Sequence, residues 1–283
     1  MITDIHSHAW PFPEAFSDDF IRQASAAKAG ATVDLTIRLS EYRNAAPAGT
    51  RTVVFGGKAH LSGLWVDDEY VAKYVAQDPE HLTGFLSVDP TRGGWEIEMR
   101  HGHEELGLCG VKLLPMYAGF GVDDPCLEQH WDYAEERKLP VLLHTGTTFV
   151  RQAPLECTLP RLIDPVATRH PEIRFVLAHL SHPYEGECVA TIRKHPNVYA
   201  DISALHYRPW QLYNSLMLVQ EYGVWNKLLF GSDYPFTTVN DSIKGLRELN
   251  KMVDGTNLPR LNEQEIEQLI RRDGFEILGI SVG

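Results

Sequence analysis

The sequence begins with two histidines whose spacing suits the binding of one metal ion. His6 and His8 lie in the apolar-rich segment Ile2-Thr-Asp-Ile-His-Ser-His8. On a β-strand, residues i and i+2 point to the same side, so both imidazoles could face one ion. Imidazole is a preferred ligand of Zn²⁺ and similar ions, which can acidify a water molecule into a nucleophile. The alternative interpretation is two polar residues near a turn.

A second His-x-His pair in the chain provides a contrast. His101 and His103 lie in residues 94–106, a stretch with helical periodicity. On an α-helix, positions i and i+2 are about 200° apart, so these two rings cannot share one ion. We therefore expect this pair to lie at the surface and to bind no metal.

Other side chains that could serve a metal site follow apolar segments further along the chain. They are Lys112, His144, His179 and Asp233. Taken alone, His144 could be a hydrogen-bonded core histidine. Asp233, in the sequence Gly231-Ser-Asp-Tyr-Pro235, could equally stabilise a turn. These residues form one site only if the fold brings the ends of their segments together.

Eight short segments are predicted to be buried strands, because they are rich in β-branched residues and bounded by turn formers. They begin near Ile2, Thr52, Leu82, Leu108, Pro140, Arg174, Asn197 and Lys227. After the first gap, the starts recur about every 30 residues, the length of one strand-plus-helix unit. Helical periodicity occurs between them, for example in residues 67–77, 94–106, 127–138, 160–170, 210–222 and 242–252, and again from Glu263, with Asn262 as its cap.

This alternation predicts an α/β fold, a distorted (β/α)8 TIM barrel formed by residues 1–283 as one domain with a C-terminal helix. A doubly wound open sheet is the alternative, but a glycine-rich phosphate loop is missing after the first strand. In a barrel, the C-terminal ends of the strands open on the functional face. We therefore expect six side chains at one mouth: His6, His8, Lys112, His144, His179 and Asp233.

The composition restricts the partners and the compartment. A net charge of −12 disfavours binding to nucleic acid or to an anionic membrane. The four cysteines form no Cys-x-x-Cys pair, so we expect reduced, mostly buried thiols. The sequence shows no signal-peptide pattern and no apolar run of membrane-spanning length. We expect a soluble cytoplasmic protein that acts on a small molecule.

The strand-end motifs resemble those of the amidohydrolase superfamily, and more narrowly its aminocarboxymuconate-semialdehyde-decarboxylase-like branch. The matching stretches follow that family's order and spacing over nearly the whole chain. They are Asp4-Ile-His-Ser-His8, Gly110-Val-Lys-Leu-Leu-Pro115, Val141-Leu-Leu-His-Thr-Gly146, Ala178-His-Leu-Ser-His-Pro183 and Phe230-Gly-Ser-Asp-Tyr-Pro235. Departures at Ser181 and Asp273 touch no expected ligand.

The resemblance implies a set of roles. His6, His8, His144 and Asp233 would bind one divalent ion, with zinc expected and manganese or another divalent ion as alternatives. His179 would stand beside the metal as a catalytic residue, and Asp233 would also move protons. Lys112 occupies a position where some relatives carry a carboxylated lysine that bridges two metals, but we expect it to contact substrate. The branch often forms homodimers or homotetramers.

Loops after the strands supply the remaining candidates for substrate binding: Tyr117, Arg151, His182 and Arg208. Arg151 and Arg208 could clamp a carboxylate, although both could be solvated loop arginines, and His182 could simply stabilise its loop. The leading hypothesis is a hydrolase of a small, carboxylated lactone, amide or ester. The alternatives are a nonoxidative decarboxylase of an aromatic or muconate-like acid, and a barrel that keeps its metal only for structure.

Overall fold

Eight parallel strands form the central sheet of a computed structural model, which describes residues 1–27 and 33–280. We number them β1 to β8 in chain order, and each pairs with its neighbour in sequence. They span Thr3–His8, Arg51–Phe55, Leu82–Ser87, Val111–Leu113, Val141–Leu143, Phe175–Leu177, Val198–Asp201 and Leu228–Leu229. Every predicted strand is present, and each begins within three residues of its predicted start.

Hydrogen bonds between β1 and the segment after β8 close the sheet into a barrel. The backbone N–H of Ile5 donates to Phe230, that of Asp233 to His6, and that of His8 to Tyr234. The structure is therefore a (β/α)8 TIM barrel, as predicted. A short antiparallel hairpin, Lys58–Ala59 with Leu64–Trp65, follows β2 and was not predicted.

The helices surround the barrel. The α-helices span Asp18–Ala27, Leu39–Asn44, Asp68–Val75, Trp95–Arg100, Pro115–Ala118, Glu128–Glu136, Ile163–Arg169, Glu185–Lys194, Pro209–Tyr222, Val239–Glu248, Glu263–Arg271 and Gly274–Leu278. Asn262 caps the helix at Glu263 as predicted, because its side chain accepts from the backbone N–H groups of Gln264 and Glu265. The stretch predicted as one helix over residues 94–106 changes after Arg100 into a π-helix, His101–Glu105.

A β-bulge in β1 sets the direction of the two leading histidines. Asp4 pairs with Thr52 and Ser7 pairs with Val54, so three steps along β1 match two along β2. The extra residue allows Ile5 to pack inside the barrel while His6, its direct neighbour, also faces inward. A strictly alternating strand would have turned one of these two side chains outward.

Two apolar layers stabilise the barrel. Outward-facing strand residues pack against the helices in the larger layer, and inward-facing residues such as Phe55, Phe85 and Val176 form a smaller one. Phe275 and Leu278 of the last helix belong to the inner layer. The hydroxyl of Thr3 on β1 accepts from the backbone N–H of Gly274. The C-terminal helix therefore closes the N-terminal end of the barrel, opposite the mouth.

Two expectations from composition meet the structure here. The cysteines are free thiols, but only Cys188 is buried and Cys126 is exposed, so the expectation of mostly buried thiols was wrong. Within the described ranges, no helix is both long and apolar enough to cross a membrane.

Candidate metal centre and catalytic site

A cavity of about 510 Å³ opens at the C-terminal ends of the strands. It is lined by all six of the strand-end side chains expected there: His6, His8, Lys112, His144, His179 and Asp233. Lys112 reaches it because Val111 and Leu113, its neighbours on β4, face the outer apolar layer. Residues that span most of the chain thus meet at one point, although their individual roles stay predictions.

The carboxylate of Asp233 lies between the two leading histidines. Its Oδ1 is 3.1 Å from Nε2 of His8 and 3.3 Å from Nε2 of His6. His8 also stacks on Trp10, with ring centroids 3.8 Å apart. One carboxylate oxygen therefore contacts both imidazole rings.

His179 and His144 form the other half of the cluster. Nε2 of His179 lies 3.3 Å from Nδ1 of His144. Nδ1 of His179 lies 2.8 Å from Oγ of Ser203, and Nε2 of His144 lies 3.4 Å from the carbonyl oxygen of Thr147. His179 is thus held from behind while its Nε2 faces the cluster.

Asp201, at the end of β7, is the residue that the sequence analysis missed. Its Oδ2 lies 2.8 Å from Nδ1 of His6, and its Oδ1 accepts from the backbone N–H of His179. Ser203 donates to the same Oδ1 through its hydroxyl. The signal was available, because Asp201-Ile-Ser203 ends a predicted strand with the same i, i+2 spacing as His6 and His8.

Asp4, two residues before His6, binds the segment after β8 rather than an imidazole ring. It accepts from the backbone N–H and hydroxyl of Ser232 and from the hydroxyl of Tyr42. It therefore fastens β1 to the segment that carries Asp233. Burial raises the pKa of Asp4 to about 6, although these donors oppose the shift.

Burial makes most of the clustered imidazoles weak bases. It lowers the pKa of His8 to about 3, that of His179 to about 4 and that of His144 well below its ordinary value. His6 differs: burial and Lys112 act to lower its pKa, but Asp201 and Asp233 outweigh them and raise it. The pKa of Asp233 is held well below its usual range, because contacts with His6 and His8 outweigh its burial.

These groups fit a divalent cation. Ligand atoms of His6, His179 and Asp233 all lie within 4.8 Å of one another, which makes them the compact group among the described residues. Nε2 of His6 is buried and makes no hydrogen bond, because its 3.3 Å contact with Oδ1 of Asp233 lacks hydrogen-bond geometry. Imidazole nitrogens and a carboxylate oxygen suit Zn²⁺, Mn²⁺ and similar ions. His8, through Asp233, and His144, through His179, adjoin this group.

Lys112 lies at the floor of the same cavity without a hydrogen-bond partner for its Nζ. Its side chain is 1% exposed, and Nζ lies 4.6 Å from the ring centroid of Phe55. Burial lowers its pKa to about 7, although Asp201 and Asp233 oppose the shift. Such an unpaired amine is available to a substrate anion.

Three of the four loop candidates also line the cavity. The ring of Tyr117 lies 4.9 Å from that of His144, His182 is held by Glu185 at 2.8 Å, and Arg208 lies over the ring of Tyr207. Arg151 is different, because its side chain is exposed and it is not part of the cavity wall. Of the two arginines considered as a clamp for a carboxylate, only Arg208 thus lines the cavity.

The backbone is strained at both expected catalytic residues. His179 has φ 60° and Asp233 has φ 61°, in the left-handed region that non-glycine residues rarely adopt. Leu180 and Ser181 continue the left-handed conformation after His179. Conformations of this kind cluster at functional sites, where the surrounding contacts hold them in place.

The contrasting pair lies in a helical segment, as its periodicity predicted, and both residues are partly exposed. His101 contacts Glu69 and Glu105, whereas Nδ1 of His103 lies 2.8 Å from the hydroxyl of Tyr133. The two rings have different partners and share no site. The spacing of two histidines therefore carries information only together with their secondary structure.

The chain belongs to the amidohydrolase family, whose model matches residues 3–271. This result agrees with the strand-end motifs and with the barrel. No curated protein matches the sequence.

Solved structures share the fold at low sequence identity. An uncharacterised TIM-barrel protein from Bordetella bronchiseptica is 19% identical, with a TM-score of 0.70 over 99% of this chain and 98% of that one. A probable 2-pyrone-4,6-dicarboxylic acid hydrolase from Acinetobacter baumannii, with citric acid bound, is 16% identical, with a TM-score of 0.65 over 98% and 99%. A 5-carboxyvanillate decarboxylase from Novosphingobium aromaticivorans, with bound manganese and a nitrobenzoic acid, is 13% identical, with a TM-score of 0.64 over 99% and 97%.

Proposed function

We propose that this protein is a metal-dependent hydrolase acting on a small, carboxylated lactone, amide or ester. The observation that carries the proposal is the convergence of His6, His179 and Asp233 in the cavity at the mouth of the barrel. His8 and His144 complete the proposed ligand shell with His6 and Asp233. Zinc is the expected ion, and the manganese in the similar decarboxylase makes Mn²⁺ the first alternative.

When bound, the ion would polarise the substrate carbonyl and acidify water. The residues of the chain then handle the protons. Asp233 is ionised at neutral pH and can accept a proton from the attacking water as its oxygen bonds to the acyl carbon. The same proton passes to the leaving oxygen or nitrogen as its bond to that carbon breaks. His179, which is neutral at pH 7 because its pKa is about 4, supports deprotonation rather than acting as a cation.

Two basic groups support a carboxylated substrate. The unpaired amine of Lys112 lies at the floor, and Arg208 lies on the wall. Tyr117 and His182 also line the cavity and offer polar groups. The similar hydrolase from Acinetobacter baumannii is described as acting on a dicarboxylic acid, which agrees with this charge pattern. The small volume of the cavity favours a single-ring or comparable molecule.

A decarboxylase is the second candidate, and the aromatic wall of the cavity favours it. Six aromatic side chains line the space: Trp10, Phe20, Tyr117, Phe149, Tyr207 and Phe236. Flat apolar walls suit an aromatic acid, and one similar structure is a carboxyvanillate decarboxylase. In this reaction a carbon–carbon bond to the carboxylate breaks, carbon dioxide leaves, and a proton takes its place on the ring.

A substrate panel separates the two candidates. Purified protein loaded with Zn²⁺ or Mn²⁺ is offered carboxylated lactones, esters, amides and hydroxylated aromatic acids. Acid release, with oxygen from isotopically labelled water in the product, supports hydrolysis. Release of carbon dioxide without such incorporation would overturn hydrolysis in favour of decarboxylation.

Variants of the site test whether any activity belongs to it. Asp233→Asn and His179→Ala should each lower turnover by at least about 100-fold, the usual contribution of a proton-transfer group. His103→Ala, in the helical pair outside the cavity, is the matched control and should retain activity. A purely structural metal site predicts that Asp233→Asn changes no activity at all.

A further inference from the structure

Asp201 is a fully buried carboxylate that contacts two of the clustered histidines from outside the cavity. Its Oδ2 faces Nδ1 of His6 at 2.8 Å. Its Oδ1 accepts from the backbone N–H groups of His179 and Ser203, at 2.9 and 3.0 Å, and from the hydroxyl of Ser203.

The donors and acceptors in this group determine where the ring protons lie. A carboxylate oxygen can only accept, so the partner nitrogen of His6, Nδ1, carries a proton. The hydroxyl of Ser203 has one proton, which it donates to Asp201. Towards Nδ1 of His179, 2.8 Å away, the same hydroxyl oxygen can then only accept. Nδ1 of His179 therefore carries a proton as well. In the 3.3 Å contact between the two rings, Nδ1 of His144 is then the donor and Nε2 of His179 the acceptor.

We propose that Asp201 and Ser203 are positioning residues that keep the protons of His6 and His179 on Nδ1, so that both rings turn Nε2 towards the cation. This inference rests on the proposed metal site. In each neutral ring, Nε2 then has its lone pair free, which is the form that binds a metal. One buried pair at the end of β7 thus prepares the ligand His6 on β1 and the catalytic residue His179 after β6.

The substitution Asp201→Asn would reverse the proton of His6 at almost constant volume. Three donors meet at Oδ1, so the amide oxygen of asparagine would occupy that position. Its NH₂ group would then stand at the Oδ2 position, opposite Nδ1 of His6. Since NH₂ is a donor, Nδ1 would have to accept, and the ring proton would move to Nε2. That tautomer cannot offer Nε2 to a cation.

The first measurement is the affinity of the whole chain for Zn²⁺ and Mn²⁺, by competition with a chelator. We expect Asp201→Asn to raise the dissociation constant about 10- to 100-fold. Asp68→Asn is the matched control, because Asp68 is also a buried carboxylate but contacts Lys58 and the backbone of Ser87. Its affinity should equal that of the wild type. An Asp201→Asn protein that binds both ions as tightly as the wild type would overturn the proposal.

The second measurement reports the tautomers without any metal. Nitrogen-15 spectra of histidine-labelled, metal-free protein are recorded at about pH 9, above the ordinary histidine pKa. Wild-type His6 and His179 should show a protonated Nδ1 and an unprotonated Nε2. Ser203→Ala tests the proposal even if Asp201→Asn does not fold. It removes the acceptor of Nδ1 of His179, so the pattern at His179 should change. His6 should keep its pattern, because Asp201 still accepts from its Nδ1 at 2.8 Å, although the 3.1 Å contact with Ser203 is lost. Peaks are assigned by single histidine variants.

The two measurements separate this proposal from the proposed function. If wild-type protein binds neither ion, the metal-dependent function is contradicted, but the nitrogen-15 pattern still tests the positioning pair. If wild-type protein binds an ion and its metal-free rings carry their protons on Nε2, the positioning role is wrong and the metal site stands.

Discussion

Nε2 of His8 lies 3.1 Å from Oδ1 of Asp233, although 225 residues separate them in sequence. The barrel closure explains this contact, because the backbone of Asp233 bonds to β1 at His6. Pairing between β1 and the segment after β8 therefore brings the His6-Ser-His8 motif next to the motif that carries Asp233. A cation bound here would have ligands from β1 and from the segment after β8.

The first prediction concerns metal content. Wild-type protein should hold close to one divalent ion per chain, and the double variant His6→Ala/His8→Ala should lose it. The matched control is His101→Ala/His103→Ala, which removes the same two side chains from a helical His-x-His pair. Elemental analysis of the three purified proteins measures the outcome. Two tightly held ions would instead point to Lys112 as a bridging ligand.

Metal binding should also stabilise the fold. At a free ion concentration about 100-fold above the dissociation constant, the free energy of unfolding should rise by about 2.7 kcal/mol. Thermal or denaturant unfolding with and without a chelator measures this gain. Equal stability under both conditions, for wild type and for His6→Ala/His8→Ala, would contradict the site.

The sequence was sufficient to predict the barrel because all its signals are local. Apolar β-branched runs mark the strands, and their ends mark the mouth, where Lys112 and His144 indeed lie. The bulge at Ile5 and His6 was not predictable, because it depends on pairing with β2. His6 and His8 nevertheless both face the cavity, as expected.

The contacts behind the site required three-dimensional information. Asp201 could be recognised as a strand-end acid, but its partner His6 lies 195 residues away. Arg151 and Arg208 were indistinguishable in sequence, because the loop paths decide which one reaches the cavity. Site residues at strand ends can thus be predicted from the sequence. Which loop residues reach the cavity depends on how the loops pack, and this cannot be predicted from the sequence alone.

The second prediction uses the buried amine of Lys112 in metal-free protein. Because its pKa falls from 10.5 to about 7 on folding, protonation opposes the folded state. Lys112→Met should therefore raise the free energy of unfolding by about 3–5 kcal/mol at pH 7 and below. Denaturant titrations measure the gain. Lys73→Met, at an exposed lysine, is the control.

The same variant has a predicted pH dependence. Between pH 7 and 10.5 the unfolded wild-type chain binds more protons at Lys112 than the folded chain does. Wild-type stability should therefore rise relative to Lys112→Met by about 1.4 kcal/mol per pH unit. The advantage of the variant disappears as the pH approaches 10.5. A difference that stays constant with pH would show that the amine is not the cause.

The third prediction distinguishes the two loop arginines. Arg208→Gln should raise the KM for a carboxylated substrate about 10- to 100-fold, because a charge-assisted hydrogen bond contributes about 1.5–3 kcal/mol. Arg151→Gln should leave the KM unchanged, since its side chain lies outside the cavity wall. Steady-state kinetics with the substrate and an uncharged analogue provide the test. Equal effects of both variants would mean that the loops rearrange around the substrate.

The fourth prediction tests the closure of the barrel by its last helix. Phe275 is 1% exposed and packs with the inward-facing strand residues, so Phe275→Ala should leave a cavity at the N-terminal end. We expect a loss of about 3–5 kcal/mol in the free energy of unfolding, as for other buried phenylalanines. Phe149→Ala is the matched control, because Phe149 is 37% exposed at the mouth and should cost less than about 1 kcal/mol. Similar losses for both variants would contradict the closure of the barrel by the last helix. Phe275 would then contribute no more to stability than a partly exposed residue at the mouth.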